Sequence, residues 1–191
     1  LSVNETEEKI KGYLKNFGWE VDERNLVIKK GYTYALAKEI ENIFLHKRGI
    51  VPYHTEETAG FFSTLKKVMP EFFVLDSLTA ISSVFVGERQ MYRVYLEELF
   101  KFLTEHKITS ILICEEVKET EIPQAGVEEF LADAVITLYN IRKGSARARG
   151  IEILKFRGIK HERKIVSMEI TENGIVIYPQ QELCLLYTSP S

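Results

Sequence analysis

The sequence predicts an α/β fold: a mostly parallel sheet flanked by helices over the first two-thirds, then antiparallel strands and a hairpin. Three observations carry that prediction. Phe72-Phe73-Val74-Leu75 and the run Thr109 to Cys114 are apolar on both faces, the pattern of strands inside a parallel sheet. Segments with helical spacing alternate with them. From Ala134 onward strand patterns succeed one another with no helix between, and Asn173-Gly174 marks a tight turn.

Taken in order, Leu1-Ser2-Val3 reads as a strand. Asn4 with Glu7 makes a helix start signal, and Ile10, Leu14 and Phe17 recur at helical spacing until Gly18 ends the run. Asn25 to Lys30 is a short β-like run. Thr33 to Lys47 and Thr55 to Val68 carry helical spacing, the second ended by Pro70. The strand at Phe72 ends in Asp76. Glu88 to His106 is a helix with Met91, Tyr95, Leu99, Phe102 and Leu103 on one stripe. The last third offers strands at Ala134 to Asn140, Arg149 to Phe156, Lys164 to Thr171 and Ile175 to Tyr178, expected to extend the same sheet antiparallel.

At 191 residues, 45% hydrophobic and 28% charged, the chain can bury one substantial core. Its apolar runs are too short or too interrupted to span a bilayer and no secretory signal opens it, so a cytoplasmic location without membrane contact is expected. Cys114 and Cys184 have neither disulfide nor zinc spacing. The net charge is −3, yet Arg142 to Lys164 concentrates nine basic residues against Glu152 and Glu162. That cluster suits an anion or a solvated pair of strands. Both termini read as unnatural. The chain opens inside a strand with no initiator Met, and Cys184 to Ser191 resembles a translated sequencing adaptor. Residues 180–191 are therefore set aside as a non-native or disordered tail, leaving residues 1–179 as one partial domain.

An acid at the carboxyl end of a buried parallel strand lies in the crevice where open α/β sheets bind ligands, and Asp76 is placed so. Read alone, Asp76-Ser77 serves equally as a cap for a following turn. Glu5, Glu115 and Glu116 also follow strand ends, suggesting a crevice that handles a cation and a water. Lys155 and Arg157 alternate with Leu154 and Phe156, so both leave one sheet face, with His161 close behind.

Six segments in order then resemble the KaiC family of RecA-like P-loop ATPases: VNETEEKIKGYLKNFGW (3–19), FFVLDSLTAI (72–81), ITSILICEE (108–116), GVEEFLADAVITLYNIRKG (126–144), GIEILKFRGIKH (150–161) and ITENGIVIYP (170–179). The resemblance implies a RecA-like core and ATP bound between subunits of a ring, commonly a hexamer. Asp76 then serves Mg²⁺ in the Walker B position, beside Ser77. Lys155 and Arg157 reach a neighbour's nucleotide, the Arg as a finger on the γ-phosphate. Asn16, Phe156, Ile159, His161, Thr171 and Glu172 fall at positions that contact nucleotide in the family.

Two departures qualify the match. Where the family pairs glutamates to polarise the attacking water, this chain has Asn4 and Glu5; an amide orients water but takes no proton, which leaves Glu5. Glu116 stands where relatives often carry Arg. No G-x-x-x-x-G-K-[ST] loop occurs, so the phosphate loop and its preceding strand are expected upstream of Leu1, and the chain by itself is expected neither to bind nor to hydrolyse ATP appreciably. The expected parent is a Mg²⁺-dependent ring ATPase that drives signalling or regulation with a regulatory protein partner. The alternatives are a recombination or repair paralogue, although nucleic acid is not favoured, and an ATP sensor that barely hydrolyses.

Overall fold

A computed structural model describes residues 1–3, 5–31, 39, 61–85, 87–115, 126–143 and 145–183. Asn4, Glu116, the helical run Thr33 to Lys47 apart from Glu39, the start of Thr55 to Val68 and the adaptor-like end lie outside them. Packing divides the chain into two compact units, Leu1–Leu14 with Glu20–Glu128, and Lys15–Trp19 with Glu129–Ser191.

Helix α1 spans Glu7–Asn16, its residues up to Leu14 belonging to the first unit. Thr6 caps it, its hydroxyl accepting from the Lys9 N–H at 3.4 Å, so the start signal works two residues beyond Asn4. Helix α2 (Phe61–Val68) precedes strand β1 (Phe72–Asp76). A short helix α3 (Leu78–Ser82), which the sequence pattern does not show, continues into a 3₁₀ turn, Ser83–Phe85. Helix α4 is Arg89–Glu105 and strand β2 is Thr109–Ile113.

Strands β1 and β2 pair in parallel from Phe72 with Thr109 to Asp76 with Ile113. Ser2 bridges in parallel to both Asp76 and Lys30, so the expected first strand and the run ending at Lys30 do join this sheet. Leu75, Leu78, Ile81, Leu96 and Leu99 are fully buried, and the α4 stripe supplies Tyr95, Phe102 and Leu103. The expectation of apolar cover on both faces is met on one. Phe73 and Leu75 are buried, whereas Phe72, 74% exposed, and Ile111, 62% exposed, lie on the other face, because the described helices bury only the Phe73–Leu75 side. No helix among the described residues is long and apolar enough to cross a membrane.

The second unit contains a sheet of order β3-β4-β5-β6, all antiparallel: β3 Ala134–Lys143, β4 Ala146–Phe156, β5 Val166–Thr171 and β6 Gly174–Glu182. It pairs within itself, where an extension of the parallel sheet was expected. Its strands outrun their apolar cores. Arg142 pairs with Arg147 and Lys143 with Ala146, so the basic hairpin keeps its ladder to the tip. β6 runs to Glu182, beyond which the Leu183 N–H donates to Ile165 O at 2.8 Å. A bulge between Val135 and Ile136 sets Val135 opposite Lys155 but Ile136 opposite Ile153, leaving Leu154 unpaired. A short helix, α5, spans Val127–Leu131.

Candidate functional site

The acidic half belongs to the first unit. Asp76 closes β1 at the carboxyl edge of the sheet, between the strand of Ser2 and β2. The Val3 N–H donates to Asp76 O at 2.7 Å, and the Asp76 N–H to Leu1 O at 2.9 Å. The Asp76–Ser77 peptide is cis. Ser77 is buried and is the N-cap of α3, its Oγ accepting from the Ala80 N–H at 3.2 Å. The capping role thus falls to Ser77, and no described side chain hydrogen-bonds the half-buried Asp76 carboxylate.

Neighbouring strand ends hold the other acids. The Glu5 N–H donates to the buried Ser2 Oγ at 3.0 Å, fixing Glu5 one strand away from Asp76. Lys9 Nζ forms an ion pair with Glu5 Oε2 at 3.2 Å one helical turn on, while that oxygen accepts no hydrogen bond among the described residues. The Glu5 carboxylate raises the Lys9 ammonium above its ordinary value. The Glu115 N–H donates to Thr79 Oγ1 at 2.8 Å, tying the end of β2 to α3. Tyr92 OH donates to Glu128 Oε1 at 2.5 Å, and burial followed by this bond pushes the phenol well above the ordinary tyrosine range.

The acids do not converge as a multidentate metal site: among the described residues no three His, Cys, Asp or Glu side chains are grouped to hold a metal. Mg²⁺ keeps several waters and takes one or two carboxylates plus substrate phosphates. A carboxylate at a strand end that no described side chain hydrogen-bonds fits such an ion arriving with its nucleotide.

The basic half belongs to the second unit. Lys155 Nζ donates to Glu129 O at 2.7 Å and to Phe130 O at 3.2 Å. Arg157 Nη2 donates to Phe130 O at 2.6 Å, while Nη1 lies 3.4 Å from Asp133 Oδ1. The two cations therefore meet, as their spacing predicts, at the carboxyl end of α5, where unpaired carbonyls and the helix dipole favour positive charge. The sequence gives no sign of α5 as their resting partner. Gly158, at φ +71°, turns the chain after Arg157, leaving Phe156 and Ile159 exposed. His161 Nδ1 lies 3.1 Å from Ile159 O, a contact that needs the proton on Nδ1. Nε2 is buried and without a hydrogen-bond partner among the described residues, so a polar group of a ligand would complete it.

Thr171 and Gly174 pair across a two-residue turn, Glu172–Asn173, one position earlier than the Asn-Gly pattern suggests. Thr171 Oγ1 donates to Gly174 O at 3.0 Å and accepts from the Asn173 N–H at 3.3 Å. Its hydroxyl is spent on the turn, so a ligand would meet its methyl and backbone. Glu172 is exposed. Asn16 ends α1 and falls in this second unit with the hairpin.

A family model described as ATPase: KaiC matches residues 1–182. Circadian clock oscillator protein KaiC 1 of Synechocystis sp. is 34% identical over 120 residues, 60% of this chain and 22% of its own length. Circadian clock protein KaiC3 of the same organism is 42% identical over 107 residues, 55% of this chain and 21% of its own length. This chain thus spans about a fifth of the curated relatives it matches. The crystal structure of a KaiC-like protein from the hyperthermophilic archaeon Pyrococcus horikoshii OT3 aligns with a TM-score of 0.62 at 26% identity, covering 93% of this chain and 74% of that one.

Proposed function

The chain belongs to the KaiC family of ATPases, and from that premise we propose that it supplies two complementary half-sites of a ring-forming, Mg²⁺-dependent ATPase acting in signalling or regulation. The observation that carries the reading is the Asp76 carboxylate, held at the end of a central parallel strand with no described hydrogen-bond partner. A Mg²⁺–nucleotide complex supplies the metal that neutralises charge on the phosphates. Asp76 would hold that metal, and Glu5 would take a proton from the attacking water. Lys155 and Arg157 exchange the carbonyls of α5 for a neighbouring subunit's phosphates, where the fork of Arg157 suits a developing negative charge. The ring places one subunit's acids beside the next subunit's cations.

Complementation in the complete protein tests this. Asp76→Asn and Arg157→Ala proteins are each expected to hydrolyse ATP at under about a hundredth of the parent rate. An equal mixture that exchanges subunits should regain about a quarter of the parent activity, because intact halves meet at one interface in four. A mixture as inactive as its components rules out the cross-subunit arrangement.

A slow, sensor-like enzyme is the second reading, favoured by the Lys9 contact that occupies Glu5. In that case Asn4→Glu, which adds a second carboxylate, should raise turnover severalfold; an unchanged rate removes this reading.

A further inference from the structure

Gly174 opens β6 at φ +114°, in the left-handed region that favours glycine. It is the buried member of a turn whose central residues, Glu172 and Asn173, are exposed. A Cβ at Gly174 would stand 3.1 Å from Trp19 Cζ2, and no other residue outside its own neighbourhood comes so near. The indole thus lies over the turn's backbone. Trp19 is itself placed by the end of α1: the Gly18 N–H donates to Lys15 O at 2.9 Å, Gly18 sits at φ +68°, and the reversal stacks Trp19 on Phe17 with centroids 5.3 Å apart and planes 29° from parallel. Asn16, the last residue of α1, is three positions from this ring.

The two segments joined by that contact carry Asn16 on one side and Thr171 and Glu172 on the other. Glu172 is an anion, so a phosphate is the wrong neighbour for it, whereas a ribose hydroxyl or a base N–H suits it. We propose that Trp19 is a positioning residue, which locks the end of α1 to the β5–β6 turn so that Asn16, Thr171 and Glu172 form one preassembled wall for the nucleoside part of ATP. This rests on the nucleotide-binding reading above. Gly174 is the other half of the device, because any side chain there pushes the ring away. Preassembly lowers the ordering cost of binding without touching the phosphate chemistry, so its loss raises KM and spares kcat.

The test is steady-state ATP hydrolysis by the complete protein. Trp19→Ala is expected to raise KM for ATP about tenfold with kcat within about twofold, while Trp19→Phe, which keeps an aromatic ring over the turn, stays within about threefold of the parent KM. Gly174→Ala, whose methyl meets the ring, should shift KM in the same direction and provides the measurement if Trp19→Ala does not fold. Glu172→Ala is run alongside. If it raises KM while Trp19→Ala and Gly174→Ala leave KM unchanged, or lower kcat alone, the positioning role is overturned and the nucleotide reading stands. If neither Glu172→Ala nor Asn16→Ala moves KM, the nucleotide reading itself fails, and the proposal with it.

Discussion

Parallel strands β1 and β2 end on acids, whereas the antiparallel strands β3 to β6 carry the cations, and the two units gather their residues by different means. Parallel strands all point one way, so their carboxyl ends bring together side chains remote in sequence: Glu5 through the Ser2 strand, Asp76 through β1 and Glu115 through β2. Antiparallel hairpins gather neighbours in sequence, here Lys155 to His161 at one turn and Thr171 to Gly174 at another. The first arrangement depends on a packed core and the second on hydrogen bonds, within its turns and from Lys155 and Arg157 to the carbonyls of α5. Among the described buried apolar residues only Met168 belongs to the second unit. An acidic site built on long-range packing is fragile to core changes; a basic site built on turns is not.

The sharpest way to break this contrast is to truncate matched β-strand side chains. Leu75→Ala, at a fully buried position beside Asp76, should lower stability by about 2–5 kcal/mol in urea unfolding. Ile177→Ala, on the half-exposed face of β6, should cost under about 1 kcal/mol. Equal losses would mean that the second unit is packed as tightly as the first. Ser77→Ala, which removes the α3 cap, should cost about 1 kcal/mol, detectable as a lower unfolding midpoint. The smallest effect is a pH dependence at Tyr92. Tyr92 is raised above its ordinary value of 10.0 in the fold, so its contribution is complete below pH 10 and is lost as the pH climbs above that value. Between pH 9 and 11 the parent should therefore lose stability faster than Tyr92→Phe by under about 1 kcal/mol; parallel slopes would show that the Glu128 contact contributes nothing.

What the residues disclose in advance is what local pattern determines. The apolar run ending in Asp76 and the stripe Tyr95, Leu99, Phe102 and Leu103 have periods that name their own structure, and both form where expected. The alternation of Lys155 and Arg157 likewise brings two cations together. Features set by distant partners stay hidden. Nothing near Lys155 announces that the carbonyls of α5 will hold it. The cap on α1 is Thr6, whose hydroxyl accepts from the Lys9 N–H one turn on. Arg142 and Lys143 lie beyond the expected strand end at Asn140 but stay in the ladder, since backbone pairing at a hairpin tip does not require apolar side chains.

The unpaired Leu154 has a consequence for how β4 assigns its sides. Ile151, Ile153, Lys155 and Arg157 are spaced by two, and an unbroken ladder would line them all along one surface, mixing aliphatic and charged groups. The skipped residue resets the count. Ile153 shares its side with Ile136, while Lys155 comes up on the other with Val135. One strand therefore serves as two, an oily stretch and a charged stretch joined without a turn, and the spare position acts as the punctuation between them. Removing Leu154 would keep both assignments, whereas straightening the ladder with Leu154 still in place would exchange Lys155 for Phe156 at the α5 end. The placement of the cations is thus written in the length of the strand as much as in the identity of its residues.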